Sequence, residues 1–281
     1  MIRACFGFGC LLIGFSAFAG NEDYPVGARS AGMGNASVSL SDVWSAHHNQ
    51  AGLGFVRDVS GGVYFENRFM LKELSIKGGV VALPVKGGTF GLCITNFGYS
   101  AYSENKYSLS FAKAFGDKLS AGVAMDYLST KIADGYGQRG AFAAEFGILA
   151  KPFKGLTIGA HVYNPTRAKL AEYNDERLPT ILRLGGDYAF SEKVTLAVET
   201  EKDIAKKAMF KAGIEYHPVK ELYIRAGVGT NPTLTCFGFG VNLKGLRIDV
   251  AANYHQVLGF SPQLGLTYTV QKKESTSPKI D

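Results

Sequence analysis

The sequence predicts an all-β fold: a transmembrane, antiparallel, up-and-down barrel of about 14 strands with a short N-terminal plug. Three observations carry this. Short segments alternate apolar and polar with a period of two. Their connections alternate between short and longer along the chain. The opening residues have the form of an export signal. The 281 residues, with 35 glycines, 19 phenylalanines and 14 tyrosines, fit one large β domain.

The elements follow in chain order. Residues 1–19 are expected to be a signal peptide. Arg3 gives a positive start, Ala4 to Phe18 is almost wholly apolar, and Ala17-Phe18-Ala19 is a small-x-small cleavage site that would leave Gly20 first. The apolar run is shorter than the about 20 residues a spanning helix needs. Residues 20–55 are too irregular for a strand and are expected to form the plug. Residues 56–270 form the barrel. Residues 271–281, "QKKESTSPKID", are a polar tail expected to be disordered.

Within the barrel, "LRIDVAANYH" sets the pattern. Leu246, Ile248, Val250, Ala252 and Tyr254 fall on one face, and Arg247, Asp249, Ala251, Asn253 and His255 on the other. Such runs are expected to begin near Gly61, Leu71, Gly88, Lys106, Lys118, Ala141, Gly155, Thr180, Lys193, Ala208, Glu221, Leu234, Gly245 and Gln263. Each spans roughly 9 to 11 residues, the length a tilted strand needs to cross a bilayer. The segment "AFAAEFGILA" from Ala141 also suits a short helix. Six short connections, such as "PVKGG" from Pro84 and "NLKG" from Asn242, all contain lysine. The other set includes "TKIADGYGQRG" from Thr130 and "NPTRAKLAEYNDERLP" from Asn164. Outer-membrane barrels have short periplasmic turns and longer outer loops.

Charge sorts to one face. Glu66, Arg68, Asp126, Glu145, Arg183, Asp187, Lys211, Glu215, Arg225, Arg247 and Asp249 lie on the polar faces, with His161 and His255. These are the expected lumen-lining residues. The opposite faces, nearly free of charge, are expected to meet outer-membrane lipid. Tyr127, Tyr163, Tyr188, Phe190, Tyr216, Tyr254 and Phe260 near strand ends suit interfacial girdles.

Several chemistries find no support. The formal charge of +6 is modest and no basic run interleaves with aromatics, so nucleic acid is not an expected partner. Cys93 and Cys236 lie far apart and are expected to stay unpaired. "GYGQRG" fits G-x-G-x-x-G by letter, but it sits in a loop before a strand, with no acid near residue 160. For His47 and His48 a metal site would need further converging ligands, with His161 and His255 on lumen faces as candidates, but histidines bonded to lumen polar groups are the better reading, so no metal and no cofactor are expected. Mixed charges on inward faces read as ion-pair ladders, not as a catalytic dyad, and the chain is expected not to be an enzyme.

Two stretches carry a family resemblance. "QLGLTYTV" at the last strand resembles the β-signal read by barrel-assembly machinery, with Gln263, Gly265, Tyr268 and Val270 in its positions. "PVGARSAGMGNASVSLSDVWSAHHNQAGLGF" resembles the N-terminal segment of FadL-like outer-membrane barrels, especially the PorV/PorQ-type proteins of Bacteroidota. Gly27, Arg29, Met33, Gly34, Ala36, Asp42, Asn49, Ala51 and Leu53 match in order, and Gln50 stands where that family has proline. The resemblance implies an outer-membrane monomer whose plug motif is Arg29, Asp42, Asn49, Ala51, Gly52 and Leu53. It further implies transport of small hydrophobic compounds, or alternatively an accessory role in type IX secretion with secretion components as partners.

Overall fold

The computed structural model describes residues 22–133, 137–170 and 177–270; the expected signal peptide and tail lie outside them. Fourteen strands are present: β1 Ser60–Asn67, β2 Ser75–Val85, β3 Gly88–Gly98, β4 Tyr102–Phe115, β5 Leu119–Ile132, β6 Gly137–Ala150, β7 Leu156–Tyr163, β8 Ile181–Ser191, β9 Val194–Asp203, β10 Met209–Tyr216, β11 Leu222–Gly229, β12 Leu234–Leu243, β13 Leu246–His255 and β14 Gly259–Thr269. Each pairs antiparallel with its sequence neighbours, and β1 pairs with β14, so the sheet closes. Closure satisfies every strand edge, which a sheet in hydrocarbon requires. No helix among the described residues is long and apolar enough to cross a membrane.

The alternation is realised strand by strand. In β13, Val250 is 50% exposed while Asp249 and Ala251 beside it are 4% and 3% exposed. Leu182 and Leu184 of β8, Phe237 and Phe239 of β12, and Leu264 and Leu266 of β14 all point outward. An apolar surface this continuous is far larger than a soluble monomer exposes. It is the wall of a membrane barrel.

Four expectations need correction. β2 starts at Ser75, not Leu71, because residues 68–70 and 72–74 form two 3-10 turns, with Phe69 and Met70 at φ 54° and 61°. The segment from Ala141 is strand, as expected, but its strand β6 begins four residues earlier at Gly137. Tyr163 is not a girdle residue: it is wholly buried, directly across from Glu145, and Lys106 Nζ lies 4.6 Å from its ring centre. Parity demands this, since Tyr163 shares the face of His161 two residues earlier. The other expected girdle aromatics are exposed. β14 also begins four residues ahead of the expected Gln263.

The N-terminal segment lies within the cylinder. From Val26 to Gly54 every residue is buried except Arg29, Ser41 and Asp42, which are half-buried. Two short helices, α1 Ala28–Gly32 and α2 Ser45–His48, and a 3-10 turn at Gln50–Phe55 shape it. Trp44 belongs to its largest apolar cluster, together with Val26, Leu53, Tyr64, Ile76 and Cys93, and lies edge-on to the Tyr64 ring. Cys93 and Cys236 are both free and buried.

Candidate functional site: the occupied lumen and its mouth

The N-terminal segment can fill the lumen because the wall is bare where its backbone passes. Gly91, Gly122, Gly147, Gly159, Gly213 and Gly227 face inward, and a Cβ on any of them would come within 3 Å of the segment or of an atom beside it. At Gly213 and Gly227 the obstacle is the backbone of Met33 and Gly34; at Gly122 it is that of Gln50 and Ala51. Gly122 pairs with Gly147, Gly159 with Gly185, and Gly213 with Gly227 across adjacent strands. These paired gaps form a collar matched to the segment's main chain. Gly52 is tight from the other side, with Ser45 Oγ and Leu40 O in the space of a side chain.

Polar contacts fix the segment within that collar. Asn49 Nδ2 donates to Val38 O at 2.7 Å and to Ile148 O at 3.3 Å, while its Oδ1 accepts from Ala51 N at 3.1 Å. One side chain therefore joins two parts of the segment to β6. Ala51 and Leu53 are fully buried, and Leu53 lies at Gly91. Glu199 Oε2 accepts from Ser37 N and Val38 N, both at 2.8 Å.

Two ion-pair clusters flank it. Toward the short turns, Arg29 bridges Asp42 at 3.0 Å and Glu215 at 2.7 Å. Glu215 also accepts from Arg225 at 2.6 Å, and Asp249 pairs with Arg225 at 2.8 Å and Arg247 at 3.0 Å. Toward the long loops, Asp23 sits between Lys106 at 2.9 Å and Arg183 at 2.8 Å. Burial alone would raise the Asp23 pKa; Lys106, His47 and Arg183 hold it well below the usual carboxylate range. Lys106 reaches Glu145 at 2.6 Å, and Arg183 and Lys211 both reach Glu201 at 2.8 Å. His161 bonds Glu145 at 2.9 Å. Asp126 is fully buried, with neither oxygen hydrogen-bonded and Lys106 at 3.5 Å. His47 Nε2 meets Tyr24 O at 2.9 Å, and burial pushes the His48 pKa down to about 4. Such buried, paired charges fix an arrangement without adding much stability.

The remaining expected residues fall near the ends. Arg68 lies in the turn after β1, 3.8 Å from Glu66, with its guanidinium 4.8 Å from the Tyr24 ring centre. His255 ends β13, and its Nδ1 accepts from Val257 N and Leu258 N at 3.2 Å each. Asp187 is half-buried across from Thr157. Gln263 and Gly265 face inward, Gly265 against Ala28, while Tyr268 and Val270 are exposed on the outer wall.

The position that departs from the family pattern explains itself here. Gln50 is fully buried, and its amide donates to Glu145. A proline fits the first position of a helical turn, so the backbone permits one. The side chain does not. Gln50→Pro is expected to lower stability by about 1.5–3 kcal/mol, the worth of a hydrogen bond to a buried charge. A thermal melt beside Gln50→Ala checks this; a proline variant as stable as wild type would show that the turn alone matters.

Above the segment, at the long-loop end, lies a cavity of about 440 Å³. Tyr24, Phe69, Met209, Leu234 and Leu258 give it apolar surface, and cations such as Arg68 and Lys207 face carboxylates such as Glu66, Glu201 and Asp203 around it. At the same end, Leu170 and Leu178 from the connection after β7 are buried in one cluster with Leu128, Ala141 and Ala143. Phe69 holds a left-handed φ that bulky residues rarely adopt, costing about 1–3 kcal/mol. Sequence reasoning missed both the cavity and the glycine collar. Glycine carries no hydropathy signal, although its recurrence on polar faces was visible.

At the level of sequence, no protein-family model matches this chain, and no curated protein matches it. Solved structures do. The Ralstonia pickettii toluene transporter TbuX shares 13% identity over 88% of this chain and 98% of its own, with a TM-score of 0.66. The P. putida toluene transporter TodX shares 12% over 87% and 98%, at 0.67. A Pseudomonas aeruginosa FadL homologue shares 12% over 87% and 98%, at 0.64. The chain thus has the 14-strand barrel fold seen in FadL-type transporters.

Proposed function

We propose that this protein is an outer-membrane barrel that passes small hydrophobic compounds, with the N-terminal segment as its plug. The carrying observation is the cavity at the long-loop mouth. It is large enough for a small ligand, it sets apolar side chains among charged and amide groups, and Tyr24 and Asp23 at the start of the plug form part of its floor. The fold shared with two toluene transporters and a FadL homologue supports the same reading. The buried charges have structural work, holding the plug.

Swelling or conductance of liposomes carrying wild type and a deletion of residues 21–54 tests this. The deletion is expected to conduct well above wild type, because it empties the glycine collar and both ion-pair clusters of their central partners. No permeation by either protein would reject the channel. Copurification of secretion-pore components, with surface cargo lost in a deletion strain, would favour the accessory role instead.

A further inference from the structure

Each of the six short connections, residues 86–87, 116–118, 151–155, 192–193, 217–221 and 244–245, contains lysine. They hold seven lysines, Lys86, Lys118, Lys151, Lys154, Lys193, Lys220 and Lys244, against three acidic residues, Asp117, Glu192 and Glu221. All but Lys151, which caps the Phe55 ring, are exposed. None of the seven makes an ion pair among the described residues. In the lumen, by contrast, Lys106, Arg183, Lys211 and Arg225 are all paired.

Beside each of these turns stands an exposed apolar side chain at the edge of the outer wall. Val85, Phe115, Phe153, Phe190, Val219 and Leu243 are 49 to 63% exposed. Such a residue marks where hydrocarbon ends. A lysine a few positions away lays its methylenes along the apolar edge and lifts its ammonium to the height of lipid phosphates. The opposite end shows this pattern less regularly: connections 99–101, 230–233 and 256–258 carry no charge and Lys206 is paired with Glu22 at 2.6 Å, while Lys72 beside Leu71 and Lys207 near Ile204 are its exposed lysines next to apolar residues.

We propose that the short-turn rim is a binding collar for anionic phospholipid headgroups, one unpaired lysine and one apolar anchor per hairpin. Clustered cations at a membrane surface select anionic lipid in this way, and salt screens the effect. The inference rests on the barrel spanning a membrane and not on what it transports.

The test reconstitutes the full chain in phosphatidylcholine bilayers containing spin-labelled phosphatidylglycerol or spin-labelled phosphatidylcholine. The fraction of label immobilised at the protein gives relative affinity. Phosphatidylglycerol is expected to be preferred about fivefold at low salt, the worth of one lysine per site, with the preference lost near 1 M salt. The variant K86Q/K118Q/K154Q/K193Q/K220Q/K244Q should lose it, and the same six positions as arginine should keep it. K72Q/K206Q/K207Q at the other end should also keep it. Equal affinity for both lipids in wild type overturns the proposal, whether or not the rim instead retains an acidic protein. So does a glutamine variant, shown folded by circular dichroism, that keeps its preference. Should that variant not fold, the salt titration and arginine variant decide alone.

Discussion

Gly213→Val will unseat the plug while leaving the barrel closed. Gly213 sits on the inner face of β10, and its missing Cβ is the space that the Met33 backbone occupies. Met33 is fully buried, and the next residue, Gly34, is pressed on β11 at Val228 and Gly227 with φ +67°. The main chain therefore has nowhere to retreat. Overpacking a well-filled core costs about 1–3 kcal/mol when side chains can adjust; here the obstacle is backbone, so the cost lies at or above that range. The strand ladder itself loses no hydrogen bond. The expected result is native strand content by circular dichroism, a plug newly open to protease, and liposome permeability moving toward that of the plug deletion. Gly79→Val is the control. Gly79 faces outward from β2, and a Cβ there would have no atom within 4 Å, so its effect should stay within about 0.5 kcal/mol. A Gly213→Val protein that melts and conducts like wild type would remove the collar from the account.

The barrel was legible because a membrane wall imposes one rule on every strand. "LRIDVAANYH" shows it: one frame faces lipid and the other faces charge, and β13 occupies those same ten residues. Where a local device breaks the rule, legibility fails. At Phe69 and Met70 two bulky residues turn left-handed, which no propensity anticipates, and the β2 boundary moves with them. Tyr163 misleads by its type, aromatic near a strand end, although its parity with His161 is sufficient to set it inward. The site was harder for a different reason. Arg29 and Glu215 are separated by 186 residues, and only closure of β10 into the wall brings them together. Asn49 was legible as a turn residue, but its hold on Ile148 O across the wall was not. The glycine collar is a property of absent atoms, recognisable only once the segment it accommodates has been placed.

Glu215→Gln carries the second large effect, and its size follows from counting charges. The Glu215 carboxylate, itself 1% exposed, faces the guanidinium groups of Arg29, Arg225 and Arg247 at 2.7, 2.6 and 3.4 Å. With a neutral amide there, those three cations retain only Asp42 and Asp249. One partner of a buried pair removed costs about 3–5 kcal/mol, because the remaining charge stays desolvated. The loss should appear as a lowered denaturation midpoint and as protease cleavage near Arg29. A purely local packing defect would give the first result without telling the charge from the shape. Arg29→Met distinguishes them, since it removes one surplus cation with a side chain of similar length. In the Glu215→Gln background it should recover part of the loss, for a coupling of about 0.5–3 kcal/mol. Strict additivity of the two substitutions would mean that Arg29 and Glu215 do not hold the plug through each other, and the latch toward the short turns would have to be sought in the Asn49 contacts alone.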